Sequence, residues 1–354
     1  MIPRIAIVAP TLEILGGQGI QAGALADALR ADGYAVDFVP INPRFPGRLA
    51  WLRRLPYVRT LVNETLYLLR LSELRRADVV HVFSASYWSF VLAPLPAILA
   101  ARILGKRVLL NYRSGEADDH LARWGALVRP WLRLVDDIVV PSEFLRGVFA
   151  RHGYRARVIP NVVDLSHFRY RERNPLEPRL VSTRNLESLY RIDTIIEALA
   201  LIKARYPAAT LTLAGTGSDE RRLRRLAGAL GTDGIRFLGR VEPSAMPNLL
   251  ETVDIFVNAS VIDNQPVSIL EAFAAGLPVV STATGDIANL IRDGERGLLV
   301  PPADSVALAK AVTTLLDEPE RARRMARRAR SAVERYTWSH VRELWACVYA
   351  GRVA

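Results

Sequence analysis

The residues best suited to chemistry fall in one run, Asp263-Asn264-Gln265-Pro266-Val267-Ser268-Ile269-Leu270-Glu271, which leads through alanines to Gly276 and Pro278. Pro266 suits the start of a helix, and Gly276 with Pro278 stops it before the valines at 279 and 280. Two carboxylates eight positions apart then flank a helix N-terminus, Asp263 in the entering loop and Glu271 inside the helix. The free amides of such an end attract anions. This arrangement suits a phosphorylated ligand, met by Asp263 at one end and Glu271 at the other. The plainer alternative makes Asp263 a cap and lets Glu271 satisfy a neighbouring backbone group.

Other segments offer compatible groups. Arg184, in Thr183-Arg184-Asn185-Leu186, presents a planar fork that matches phosphate oxygens. Gly16-Gly17-Gln18-Gly19 and Ala214-Gly215-Thr216-Gly217 each follow an apolar run, as does Phe237-Leu238-Gly239-Arg240-Val241. Glycine loops of this kind serve ligands and also ordinary tight turns. Arg113, Glu116, Asp118, Asp119 and His120 cluster after the run 108–110. The histidines are scattered, and no Asp-x-Asp ends a strand, so no metal site is expected.

The elements that must hold these groups alternate. Strands are expected at 5–9, 36–39, 79–80, 107–110 and 137–140, with a helix over 20–31. After a segment rich in charge and proline, Phe168 to Pro178, read as a linker, a second series follows at 179–182, 210–214, 235–238, 255–258 and 278–281. Strand and helix alternation at this spacing means parallel sheets covered on both faces, here two consecutive Rossmann-like domains with a cleft at the carboxyl ends of their strands. Helical pattern covers 320–350, where Trp338, Val341, Leu344, Trp345 and Val348 follow a three-and-four spacing suited to packing on another domain.

Composition agrees with this. At 354 residues, 50% hydrophobic and 23% charged, the chain has enough apolar material for two cores. One cysteine, Cys347, excludes a disulfide scaffold and suits a reducing compartment. The N-terminus runs directly into an apolar strand without a signal-peptide pattern, so a cytoplasmic location is expected. The apolar run 90–101 is too short to span a bilayer and contains Pro94 and Pro96. Lysine stands only at Lys106, Lys203 and Lys310, so arginine carries nearly all of the net charge of +11.

Taken in order, these segments resemble the retaining glycosyltransferases of family 4, which have the GT-B fold of two facing Rossmann domains. The run from Asp263 to Val280 resembles the family's pair of acidic residues separated by seven, followed by alanines, Gly, Pro and a valine strand. Pro141-Ser142-Glu143, Ile159-Pro160-Asn161-Val162-Val163-Asp164, Ala214 to Gly217 and Phe237 to Val241 resemble further family segments, so the resemblance covers nearly the whole chain.

The resemblance implies an acceptor-binding domain over 1–165, a nucleotide-sugar domain over 166–336 and a C-terminal helix, 337–354, crossing back to the first domain. It implies a nucleotide-diphosphate sugar as co-substrate and no cofactor or metal. Asp263, Arg184 and Arg113 are the implied catalytic residues. Donor binding is assigned to Gly16, Gly17, Arg184, Arg191, Gly215, Gly239, Arg240, Asn264, Gln265, Pro266, Val267 and Glu271. The acceptor falls to Glu116, Asp119 and His120, although a histidine beside a strand is also a common structural group.

This chain departs from the family at several places. Asp263 replaces the usual first glutamate, Arg113 a histidine, and Asn289 another glutamate. Tyr190 replaces the lysine of the diphosphate clamp, and Arg191 stands in the glycine position beside it. Either Arg191 swings in as the second cation, or Tyr190 donates a hydrogen bond.

Residues 44–76 hold Arg44, Arg48, Arg53, Arg54, Arg59, Arg70, Arg75 and Arg76 among leucines and aromatics, with only Glu64 and Glu73 against them. Such a stretch suits the headgroup layer of an anionic membrane, or a helix with a solvated basic edge. No nucleic-acid module accompanies the charge. The expected activity is sugar transfer to a glycan or lipid-linked acceptor at the cytoplasmic membrane face. Rival readings are a GT-B protein that binds without transferring, and a nucleotide-sugar epimerase of the same fold.

Overall fold

The computed structural model describes residues 2–11, 17–45, 47, 51 and 55–352. Two compact units divide the chain, one made of Met1–Val162 together with Val341–Ala354, the other of Val163–His340.

In the first unit, β1 (Ile5–Ala9), β2 (Val36–Pro40), β3 (Val79–Ser84), β4 (Arg107–Tyr112), β5 (Asp137–Val140) and β6 (Arg157–Val158) form a parallel sheet in the order β2-β1-β3-β4-β5-β6. Its helices are α1 (Gly17–Ala31), α2 (Pro56–Arg70), α3 (Trp88–Leu92), α4 (Pro94–Ile103), α5 (Ala117–Leu132) and α6 (Glu143–Arg151). All five β1 residues are buried, as strands covered on both faces require. Alternate residues serve different layers. Ala6, Val8, Val80 and Val82 join a core with Tyr67, Ile98, Leu121 and Phe149, while His81 faces the opposite way.

The second unit repeats the plan. Strands β7 (Arg179–Ser182), β8 (Thr210–Ala214), β9 (Ile235–Gly239), β10 (Ile255–Asn258), β11 (Val279–Thr282) and β12 (Leu298–Val300) pair in the order β12-β11-β10-β7-β8-β9. Around them lie α7 (Ile192–Lys203), α8 (Glu220–Ala229), α9 (Met246–Glu251), α10 (Val267–Ala274), α11 (Ile287–Ile291), α12 (Ser305–Asp317) and α13 (Pro319–Val333). Leu180, Ile255 and Val257 pack on α7 and α12, and Val181 and Phe256 pack on α10 and α13. The strand order reverses between β7 and β10, which is where doubly wound sheets place their ligands. Gly276 ends α10 at φ +75°, and Leu277 N–H reaches back to the Ala272 carbonyl (2.9 Å), the bond that closes a left-handed helix end.

Two expectations are corrected. The segment 168–178 is no free linker. Arg173 is almost fully buried and donates to the carbonyls of Leu250 (2.7 Å), Val253 (3.4 Å) and Ala275, at the carboxyl ends of α9 and α10. A cation suits that end of a helix, and the buried carbonyls find their donor in it. The helical pattern over 320–350 is broken: after α13 comes a tight turn at Glu334–Tyr336, Thr337 is extended, and α14 (Trp338–Tyr349) follows. The Tyr336 carbonyl accepts from Val163 N–H (2.9 Å) instead of continuing the helix. Val341, Trp345, Val348 and Tyr349 of α14 are buried, whereas Leu344 is exposed.

Candidate active site

The loops after β7 and β10 meet at the reversal point of the second sheet and bring the main predicted residues together. Arg184 donates through Nη2 to Asp263 Oδ2 (2.8 Å) and through Nη1 to Ser268 Oγ (3.3 Å). The two charged side chains retain 13% and 10% of their exposure, so the pair is only lightly solvated. The guanidinium carbon lies 4.1 Å from the centre of the Tyr190 ring. Asp263 also accepts from the Asn264 backbone N–H (2.9 Å), which fixes its carboxylate at the entrance to α10.

Ser268 and Glu271 are three apart on α10 and share a face. Desolvation pushes the Glu271 carboxyl up to about 7, partly opposed by the charge of Arg184. Asn264, Gln265 and Pro266 are buried in the entering loop, and Val267 begins the helix.

Close backbone approaches hold the two loops. A β-carbon on Gly215 would fall 2.3 Å from the Arg184 carbonyl oxygen, so the loop after β8 packs directly on the loop that carries Arg184. Gly285, at φ +55°, approaches the Asp263 carbonyl in the same way, at 2.2 Å. Gly215 thus shapes the site through the backbone beside Arg184.

The two candidates for the second cation's place, Tyr190 and Arg191, both have partners in this structure. Tyr190 gives Arg184 its ring face and no hydrogen bond, an attraction of the cation–π kind. Arg191 turns to Asp193 (2.9 Å), which Arg222 also contacts (3.2 Å). Arg191 adopts a left-handed backbone, φ +47° and ψ +48°, the conformation a glycine holds without strain. Gly239 and Arg240 end β9 at the sheet's edge, two strands from β7, and Arg240 pairs with Glu242 (2.6 Å).

In the first unit, Gly17 opens α1 with free space around its α-carbon, and Gly16 lies outside the described residues. Arg113 follows β4. Its Nη1 donates to Asn111 Oδ1 (3.3 Å), Nη2 is buried without a partner, and burial pulls the guanidinium down to about 9, so it stays charged at neutral pH. Asn111 Nδ2 lies 3.1 Å from His81 Nε2, and His81 Nδ1 lies 2.8 Å from Tyr349 Oη. Arginine only donates, so the Asn111 oxygen faces Arg113 and its amide donates to His81 Nε2. The His81 proton is then on Nδ1 and is donated to Tyr349. A buried chain of four side chains thereby runs from α14 to Arg113, a link with no signal in the sequence spacing.

His120 lies inside the first unit. Its ring is fully buried, bonded to Tyr112 Oη (2.8 Å) and surrounded by Tyr87, Phe90 and Trp124, and burial lowers it to about 4. Asp119 accepts from Tyr87 Oη and pairs with Arg123 (2.8 Å), and Glu116 is exposed just before α5. Among the described residues no helix is long and apolar enough to cross a membrane.

Comparison with known proteins gives this geometry a lineage. Residues 167–332 match the family described as glycosyl transferases group 1, and residues 15–167 match glycosyltransferase family 4. The chain is 27% identical to a phosphatidyl-myo-inositol mannosyltransferase of Mycobacterium leprae over 359 residues, covering 96% of this chain and 94% of the relative. It is 31% identical to the putative glycosyltransferase EpsD of Bacillus subtilis over 242 residues, 63% of each chain. The fold matches that of Anabaena HepE in complex with UDP-glucose, with a TM-score of 0.77 at 17% identity over 98% of this chain and 99% of that one. Two Rossmann-like units and family matches that together run from residue 15 to residue 332 lead to one conclusion: the chain belongs to the group 1 glycosyltransferases of family 4 type and has the GT-B fold.

Proposed function

We propose that the chain is a retaining hexosyltransferase that moves a sugar from a nucleotide-diphosphate donor to a hydroxyl of a glycan or lipid-linked acceptor, without metal or other cofactor, at the cytoplasmic face of a membrane. The observation that carries this reading is Arg184, held by Asp263, Ser268 and Tyr190 at the reversal point of the second sheet with Glu271 on the adjoining helix face. The relative named a phosphatidyl-myo-inositol mannosyltransferase and the neighbour that holds UDP-glucose support a nucleotide-sugar donor and favour a lipid acceptor.

In this reading Glu271 accepts from the ribose hydroxyls and Asp263 from a hydroxyl of the donor sugar. As the bond from the anomeric carbon to the diphosphate breaks, negative charge grows on the diphosphate oxygens. Arg184 and the first amides of α10 stabilise it. The acceptor oxygen bonds to the anomeric carbon on the face the diphosphate leaves, and the acceptor proton passes to a diphosphate oxygen. Arg113, positively charged and with an unpartnered Nη2, contacts the donor's sugar or phosphate.

Membrane contact is assigned to 44–76. Within its described part, Tyr57, Leu61 and Leu69 of α2 are 91%, 70% and 67% exposed, near Arg59 and Arg70. Arg48, Leu49, Leu52, Arg53 and Arg54 lie outside the described residues. Incubation with a panel of nucleotide sugars and a membrane extract tests the activity. The expected product is a glycoside that keeps the donor's anomeric configuration, at a rate unaffected by EDTA. Tight nucleotide binding with no transfer to any acceptor would overturn the reading.

A further inference from the structure

The first unit contains a cavity of about 470 Å³ at the carboxyl ends of β1 and β2, within the ~300–1,000 Å³ typical of small-molecule sites. Its walls are almost wholly apolar, and Gly19, Gly23, Phe38 and Pro40 are among the residues that line them. Thr11 and Asn42, the polar residues of the lining, are hydrogen-bonded to each other at both ends, at 2.8 and 2.7 Å. Two cations complete the lining, Arg44 and Arg70, both on the exposed side. Arg70 has a long contact with Glu73 at 3.5 Å.

Gly23 gives an independent pointer. It lies in the middle of α1, in ordinary helical backbone, where glycine costs about 1 kcal/mol relative to alanine. A β-carbon there would meet nothing within 4 Å, so neither packing nor backbone conformation requires the glycine. What the missing side chain leaves open is the cavity.

We propose that this cavity takes the hydrocarbon of a lipid-phosphate acceptor, an alkyl or isoprenyl chain joined through a phosphate to the head group that carries the acceptor hydroxyl, with Arg44 and Arg70 receiving the phosphate. The assignment rests on the glycosyltransferase reading and narrows its acceptor to a class. Apolar walls favour hydrocarbon, and two guanidiniums at the same cavity favour an anionic head over a neutral one. Arg70 belongs to α2, the helix whose apolar side chains are exposed, and Arg44 to the same stretch 44–76, so the head is received by the segment assigned to the membrane, while α1 and β2 wall the tail.

The test is calorimetric titration of the full chain with dodecyl phosphate, dodecanol and inorganic phosphate, each below its aggregation limit, and separately with UDP and GDP. Dodecyl phosphate is expected to bind at one site, at least ~10-fold more tightly than dodecanol or phosphate alone. Gly23→Leu fills the cavity and should abolish that binding while keeping or raising Tm, since leucine is the better helix former. Arg44→Ala and Arg70→Ala should each reduce the preference for dodecyl phosphate over dodecanol about tenfold. Nucleotide affinity should not change in any of the three.

Equal affinity for dodecanol, or unchanged dodecyl phosphate binding in Gly23→Leu, overturns the proposal. So does binding confined to phospholipid vesicles and insensitive to Gly23→Leu, which would assign the arginines to the bilayer surface. A chain that shows the expected dodecyl phosphate pattern but binds no nucleoside diphosphate would keep the cavity and overturn the transferase reading instead.

Discussion

Glu271 loses its proton near pH 7 because its carboxyl is desolvated and Arg184 offsets only part of that cost. Between the ordinary value of 4.5 and about 7, the unfolded chain has released a proton that the folded chain still holds, so this group lowers stability as pH rises through that window. Glu271→Gln should remove this component of the slope of Tm against pH between 5 and 7.5. The same titration governs the donor: only the carboxylate accepts from both ribose hydroxyls, so donor affinity should rise through pH 7 in the parent and stay flat in Glu271→Gln. Arg184→Ala should lower kcat by about 10²–10³ with a smaller change in KM, since it removes charge stabilisation that grows during bond breaking. Arg184→Lys should recover only part of this, because an ammonium cannot reach Asp263 and Ser268 with one planar fork. The acidic pair and Arg184 were legible from residue type and spacing. The Tyr190 ring under Arg184 was not, because an aromatic in a lysine's place says nothing of whether its face or its hydroxyl is used.

Elements, more than single groups, keep the site in shape. Gly285 packs on the Asp263 backbone, where a β-carbon would fall 2.2 Å from a carbonyl oxygen at a positive φ. Gly285→Ala is therefore expected to cost about 2 kcal/mol or more and to raise the donor KM, read from chemical unfolding and from kinetics on the folded fraction. In the first unit α14 is tied to Arg113 through Tyr349, His81 and Asn111. Tyr349→Phe leaves the His81 Nδ1 proton buried without an acceptor, an expected cost of about 1–3 kcal/mol in unfolding. If the chain positions Arg113, kcat should also fall while the KM for donor is nearly unchanged; a purely structural tyrosine would change only stability. Strand positions were read well from alternation. The two-residue β6 and three-residue β12 escaped because so short a run shows no period. The segment 168–178 looked like a linker because it is rich in charge and proline; only the carbonyls of Leu250, Val253 and Ala275 show why the charge of Arg173 is buried there.

For the whole molecule, the net charge of +11 and the exposed apolar side chains of α2 lead to the same experiment. Sedimentation with anionic vesicles should capture the chain at low salt and release it as ionic strength rises, and Leu61→Glu with Leu69→Glu should abolish capture without lowering Tm. The sequence by itself determined the two alternating series of strands and helices, the parallel sheets, the acidic pair at a helix start and the family resemblance, because periodicity, helix punctuation and motif spacing are local properties of the chain. The tertiary structure alone decided which cations remain near Asp263, that His120 is a core residue, that α14 reaches Arg113 through buried hydrogen bonds, and that a helical glycine borders a cavity. Each of these depends on which distant segments a side chain meets once the sheets have formed, and on the water excluded when they do.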